Sequence, residues 1–357
     1  MGKTVELLVG TKKGAFVFES DEARRRWQMR GPYCEAWPVH HVARGSDGAI
    51  YAGGGSAWYG ASVWRSADDG ASWTQSSEGL TYGEDRPRIT TVWNVTPANG
   101  TLFAGVEPAG LFRSEDGGQT WSHVAGLRQH PTRPEWQPGN GGLCLHSIVP
   151  HPTDKDRLWV GISAVGAFET ADGGRTWDLR NKGVRADFYP GDPPEFGQCV
   201  HKMKLHADHP ERLYQQNHCG VYRSDDGGRQ WTEITPGLPS QFGFPLAIHP
   251  HDPSTIYVIP LNGDDRGRHM IDGRAAVWRS RDLGNTWQRL SRGLPQSGAY
   301  IAVLREAMTT DLLDSPGVYF GTSTGQVFGS TDGGDNWSLV ADYLPPIWSV
   351  EAAVRER

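Results

Sequence analysis

Three histidines stand where side-chain type and spacing suit chemistry. His146 and His201 end two matched segments, Cys144-Leu-His146 and Cys199-Val-His201, and His41 lies in Trp37-Pro-Val-His-His-Val42. Imidazoles gathered with a carboxylate suit a divalent transition metal: zinc, iron, manganese or copper. Without metal, the same rings serve as general acid or base. A third reading makes them buried, hydrogen-bonded packing groups, and a Cys2His2 site from the two Cys-x-His segments is a lesser variant. Glu351, Arg305 and Glu306 fall in the corresponding segments of other repeats. The candidate catalytic residues are therefore His146, His201, Glu351 and Arg305, and the candidate metal ligands are His41, His146 and His201. No nucleotide cofactor is expected.

A second group lies in loops. Trp58 and Tyr59, in Ser56-Ala-Trp-Tyr-Gly60, suit stacking on a ring or sugar. Glu107 and His218 occupy matching loops of later repeats, His218 beside Asn217. Long loops at 128–142 and 181–197 carry Arg133, Trp136, Arg185, Asp187 and Tyr189, and a further insertion spans 262–273. Arg133 and Arg185 suit a substrate carboxylate. Long loops on one face of a rigid scaffold are where sites usually sit. His151, His206 and His249 recur in turns such as Val149-Pro-His-Pro152 and read as structural.

The elements that must position these residues come from a repeat. Six segments read Ser/Thr-x-Asp-x-Gly-x-x-Trp, ending at Trp73, Trp121, Trp177, Trp231, Trp287 and Trp337, and a worn copy ends at Trp27. Successive tryptophans are 46, 48, 56, 54, 56 and 50 residues apart. Periods of this size belong to propellers and solenoids. The Asp and Gly types suit a hairpin turn, and Trp supplies an apolar face. A calcium loop would need a denser set of oxygen ligands. Each unit reads as four short strands, which is propeller-blade geometry. The first unit lacks its inner strand, and segment 348–354 supplies a spare one. The expected fold is all-β: a seven-bladed β-propeller in one domain, residues 1–357, closed by the C-terminal strand pairing into the N-terminal blade.

The motif resembles the Asp-box, or BNR repeat, of sialidase-like β-propellers, over nearly the whole chain. The resemblance implies the fold and says little about activity. Sialidases are six-bladed and begin with an Arg-Ile-Pro-like signature; here Arg88-Ile-Thr90 is a partial echo in another blade, so a true sialidase is not expected. Xyloglucan-cleaving members use two seven-bladed domains, and photosystem assembly factors are single rings that bind protein.

Net charge is −6, without long charged runs, so neither nucleic acid nor an anionic membrane is an expected partner. The chain opens on a strand rather than a charged-then-apolar leader, which points to the cytoplasm and to reduced Cys34, Cys144, Cys199 and Cys219. The expected function is a hydrolase or lyase acting on a small polar, carbohydrate-like substrate, glycosidic or carboxylated, at the loop-rich face. The alternative is a non-catalytic binding scaffold using the same face. The sequence leaves the oligomeric state open.

Overall fold

Each repeated turn is tied together by its own side chains. At the third blade, the Ser114 hydroxyl donates to Asp116 Oδ1 (2.7 Å) and accepts from the Gly118 N–H (2.8 Å). Asp116 also accepts from the Thr120 N–H (3.0 Å) and the Thr120 hydroxyl (2.6 Å). Gly117 and Gly118 hold φ of 73° and 90°, which glycine adopts at little steric cost. The same Ser/Thr-to-Asp bond recurs at Asp68, Asp172, Asp226, Asp282 and Asp332. In the worn first copy Asp21 accepts from the Ala23 N–H instead. Its Trp27 still packs edge-on against Tyr319 of the seventh blade, 5.9 Å between ring centres. Two other motif tryptophans staple neighbouring blades: the Trp231 indole N–H donates to the Arg180 carbonyl (2.8 Å) and that of Trp287 to the Ile234 carbonyl (2.9 Å).

The computed structural model describes residues 2–84, 86–263 and 266–356. Asp264 and Asp265 of the 262–273 insertion lie outside the described residues. The described strands form seven four-stranded antiparallel sheets. The inner strands, in blade order from the second, are Val39–Arg44, Thr91–Ala98, Leu145–Pro150, Val200–His206, Gly243–Ile248 and Met308–Thr310. The first blade takes its inner strand from the far end of the chain. Ile347–Glu356 pairs antiparallel with Lys3–Thr11, from Lys3 opposite Glu356 to Thr11 opposite Ile347. The seven-bladed propeller and its closure are therefore as expected. Closure leaves no sheet edge open at the seam.

Apolar side chains fill the spaces between blades. One core joins Leu7 and Phe16 of the first blade to Phe320 and Val350 across the seam. Beside it, buried Glu6 accepts from Arg44 (2.9 Å) and is paired with Arg355 on the closing strand (2.7 Å). Arg355 also reaches Asp69 in the second-blade turn (3.0 Å). No helix among the described residues is long and apolar enough to cross a membrane.

The turns carry a pH dependence. Hydrogen bonds from Ser72 and Ser66 hold Asp68 down to about 2, and bonds from Thr176 hold Asp172 down to about 2. Their folded values lie below the unfolded one, so their contribution is present above pH 4 and is lost as pH falls towards 2. We expect the urea midpoint to drop over that window. Asp116→Ala at pH 7 should cost about 1 kcal/mol, the bonds it removes being open to solvent, and should flatten part of the acid response. An unchanged midpoint from pH 5 to 2.5 would show that the turns contribute nothing by this route.

Candidate functional site

The inner strands are not regular. Pairing with the second strand slips past one residue in five blades: His40, Trp93, His146, His201 and Trp348 are skipped. In the sixth blade Phe244 and Pro245 are skipped. A bulge re-aims the extra side chain. Here the skipped residues pack together around the upper channel. His40 stacks on Trp348 (4.0 Å between centres) and tilts against Trp93 (4.8 Å), while His201 tilts against Phe244 (4.7 Å). With Leu304, Arg305 and Glu306, the rings of His40, Trp93, His146 and Trp348 line an inner cavity of about 150 Å³.

This corrects the alignment of the histidines. The counterpart of His146 and His201 is His40. His41 sits one residue further along, level with Asn94, Ser147 and Lys202. The expected metal set of His41, His146 and His201 therefore does not converge. Each ring instead bonds a carbonyl of the next blade: His41 Nδ1 to Val95 O (2.9 Å), His146 Nε2 to Val200 O (2.9 Å) and His201 Nδ1 to Gly243 O (2.6 Å). His146 Nδ1 meets the Ser147 hydroxyl at 3.2 Å, so both of its nitrogens are taken. Burial, with Arg305 and Lys202 nearby, keeps His146 well below the usual imidazole range. The Cys2His2 variant fails as well. The Cys144 thiol donates to Ser163 Oγ (3.3 Å), and burial pushes it up to about 11.

Below the ring of aromatics the channel holds charge. Its cavity of about 360 Å³ is lined by His41, Lys202, Lys204, Glu306 and Glu351 among others. His41 Nε2 lies 3.7 Å from Glu306 and 3.5 Å from Glu351. The Lys202 ammonium pairs with Glu306, and Lys204 lies 3.9 Å from Glu351. Burial alone would raise Glu351, but Lys204, His41 and Lys202 outweigh it and hold the carboxyl at about 2. Glu351 thus belongs to a neutralised channel network, apart from the mouth.

The mouth is a separate cavity of about 330 Å³ on the loop-rich face. The two long loops meet over it, contributing Asn140 from one and Phe188 and Tyr189 from the other. Its floor is Cys199, His201, His218, Phe244 and Arg305. Arg305 borders both the mouth and the inner cavity. Its guanidinium lies 4.9 Å over the Phe244 ring. Its Nε is buried and has no hydrogen-bond partner among the described residues. No ion pair ties it to a described residue.

Of the other expected loop residues, His218 and Tyr189 reach this mouth. Arg185 is held by Glu233 (2.8 Å) and Asp187 (2.6 Å), so its charge is already taken up within the protein. Arg133 lies over the Trp136 ring (5.1 Å) beside a different surface groove. Trp136 is core: it packs on Phe168, and its indole N–H donates to Thr132 Oγ1 (2.9 Å). Glu107 accepts from the Trp93 indole N–H (2.9 Å). Trp58 is 88% exposed, and Tyr59 packs on Trp37 at 4.8 Å, so this pair stands on the second blade away from the mouth. Phe244 and Asn140 line the mouth and Lys202 the channel, none of them marked out by residue type in the sequence. Lys202 was legible only through the bulge, which puts it, like His41, one step past the skipped position.

No protein-family model matches the chain. The oligoxyloglucan-reducing end-specific xyloglucanase of Emericella nidulans is 24% identical over 237 residues, which are 56% of this chain and 26% of that enzyme. A xyloglucanase of Paenibacillus sp. is 27% identical over 260 residues, 64% of this chain and 23% of that protein. The chain thus spans about a quarter of the length of these curated relatives. Among solved structures, the GH74 enzyme of Niastella koreensis superposes with a TM-score of 0.55 at 16% identity, covering 97% of this chain and 66% of that one. Apo AztD from Citrobacter koseri gives 0.59 at 10% identity, covering 99% and 98%. These likenesses show the propeller.

The channel network gives a stability test. Glu306→Gln leaves the buried Lys202 ammonium without its partner, and we expect a loss of about 3–5 kcal/mol. Adding Lys202→Met should recover most of it. A double-variant loss equal to the sum of the Glu306→Gln and Lys202→Met losses, by chemical denaturation, would show that the pair is not coupled.

Proposed function

We propose that the mouth binds a small anionic polar substrate, a carbohydrate-like acid, and acts on it as a hydrolase or lyase. The observation that carries this reading is Arg305. It is a cation between two cavities, with no hydrogen bond or ion pair among the described residues. A guanidinium so placed suits a carboxylate, which it takes with two parallel N–H bonds. Phe188, Tyr189 and Phe244 offer faces for the body of a sugar ring, and Asn140 offers polar contacts. The cavity of about 330 Å³ is the size of a pocket for a small molecule rather than a polymer.

Similarity to xyloglucanases supports a glycosidic component in the substrate. The chemistry favours something other than their polymer. Two-carboxylate glycoside hydrolysis needs both acids flanking one bond. The described lining of the mouth holds no Asp or Glu, and Glu306 and Glu351 are tied to lysines in the channel. Proton transfer then falls to the imidazoles at the floor. His201 donates its Nδ1–H to Gly243 O, which leaves Nε2 as the acceptor. His218 lies against it at 5.5 Å between ring centres.

A panel of hexuronic acids, aldonic acids and neutral xyloglucan oligosaccharides, followed by thermal shift and calorimetry, tests the reading. A carboxylated sugar should bind, and Arg305→Ala should weaken it by roughly 10- to 150-fold, the equivalent of about 1.5–3 kcal/mol for a lost charge-assisted bond. Binding of neutral oligosaccharides alone, unchanged by Arg305→Ala, would overturn it.

A further inference from the structure

The floor of the mouth brings three metal-ligating side chains together at the adjoining ends of two paired strands. Cys199 directly precedes the inner strand of the fifth blade, and His201 is its bulge residue. His218 faces Cys199 from the loop between the second and third strands, its N–H donating to the Cys199 carbonyl (2.9 Å). One ligand atom from each of the three lies within 4.8 Å of the others. Cys199 and His218 are distant in sequence. They meet because the second strand runs back antiparallel to the first, placing Asn217 opposite Val200. The bulge then turns the His201 ring towards the same point.

His201 is already oriented as a ligand. Its Nδ1–H donates to the Gly243 carbonyl (2.6 Å), which leaves the Nε2 lone pair for a cation. Metal-bound histidines usually carry such an outer hydrogen bond. Phe242 and Phe244 pack on the His201 ring (5.3 and 4.7 Å between centres), and Phe242 and Phe188 on the His218 ring (5.0 and 5.6 Å). Both imidazoles are therefore held by apolar walls. A donor set of two imidazoles and one thiolate suits zinc, with one position left open. The thiolate charge offsets the repulsion between the ion and Arg305.

The second cluster of the right composition, His41 with Glu306 and Glu351, is a poorer cation site. Lys202 and Lys204 already supply positive charge to those two carboxylates.

We propose that Cys199, His201 and His218 bind one zinc ion at the floor of the mouth, its fourth position open to the cavity that Arg305 borders. This deepens the proposed function and rests on the mouth being the site. Bound there, zinc would supply a Lewis acid for a substrate oxygen or an activated water. His201 and His218 would then act through the ion rather than carry protons themselves.

The test is cobalt substitution in protein stripped with chelator and carrying no His-tag, followed by competition with zinc. One equivalent of Co²⁺ should give tetrahedral d–d bands and a thiolate-to-cobalt charge-transfer band, and zinc should displace both. Cys199→Ser should abolish the charge-transfer band, and His218→Ala should weaken binding at least about tenfold. Melting of each metal-free variant checks its fold, and either variant alone suffices if the other does not fold. Failure of the parent protein to bind one equivalent would overturn the proposal. So would retention of the full spectrum in both variants, or its loss in Glu351→Gln. Arg305→Ala separates the two readings. If carboxylate binding depends on Arg305 but no metal binds, only the zinc site falls. If the cobalt spectrum is as expected but Arg305→Ala leaves carboxylate binding unchanged, only the anion reading falls.

Discussion

Everything at the centre of this molecule depends on one pairing, that of Ile347–Glu356 with Lys3–Thr11. It closes the ring, and it also delivers Trp348 to the upper channel and Glu351 to the charged network below. Its far end is fastened electrostatically. Arg355 joins Glu6, Glu19 and Asp69, and Arg44 shares Glu6 and Asp69 with it. Buried Glu6 needs both arginines, because a lone buried carboxylate would be costly. The seam is thus held by hydrogen bonds, an apolar core and a charge cluster whose members come from the first two blades and the closing strand.

Within the closed ring, the bulges sort the side chains by height. The skipped residues make an aromatic and imidazole layer, and the next residues make a polar layer with Lys202 and His41. The result separates two kinds of charge. Glu306 and Glu351 are neutralised in the channel by lysines. Arg305, above them, is left without a carboxylate among the described residues. That separation is the basis for reading the mouth as an anion site.

The blade count was legible because the motif is local: Asp116 bonds residues two to four positions away, so its pattern survives in the sequence. Closure was legible from a missing strand at one end and a spare one at the other. The site was legible only in part. His201, His218 and Arg305 were found, yet the tandem His40 and His41 could not be ordered, because a bulge shifts register without leaving a mark in the residue types. Arg185 looked available because its partner Glu233 is 48 positions away. Trp136 looked like a loop aromatic because its burial against Phe168 depends on how the loop folds back.

The most direct measurement is a crystal structure of the protein soaked with a hexuronic acid that binds in solution. We expect its carboxylate within hydrogen-bond distance of the Arg305 guanidinium, with the sugar ring between Phe188, Tyr189 and Phe244. A ligand seated elsewhere, or one in the mouth with its carboxylate turned away from Arg305, would contradict the account.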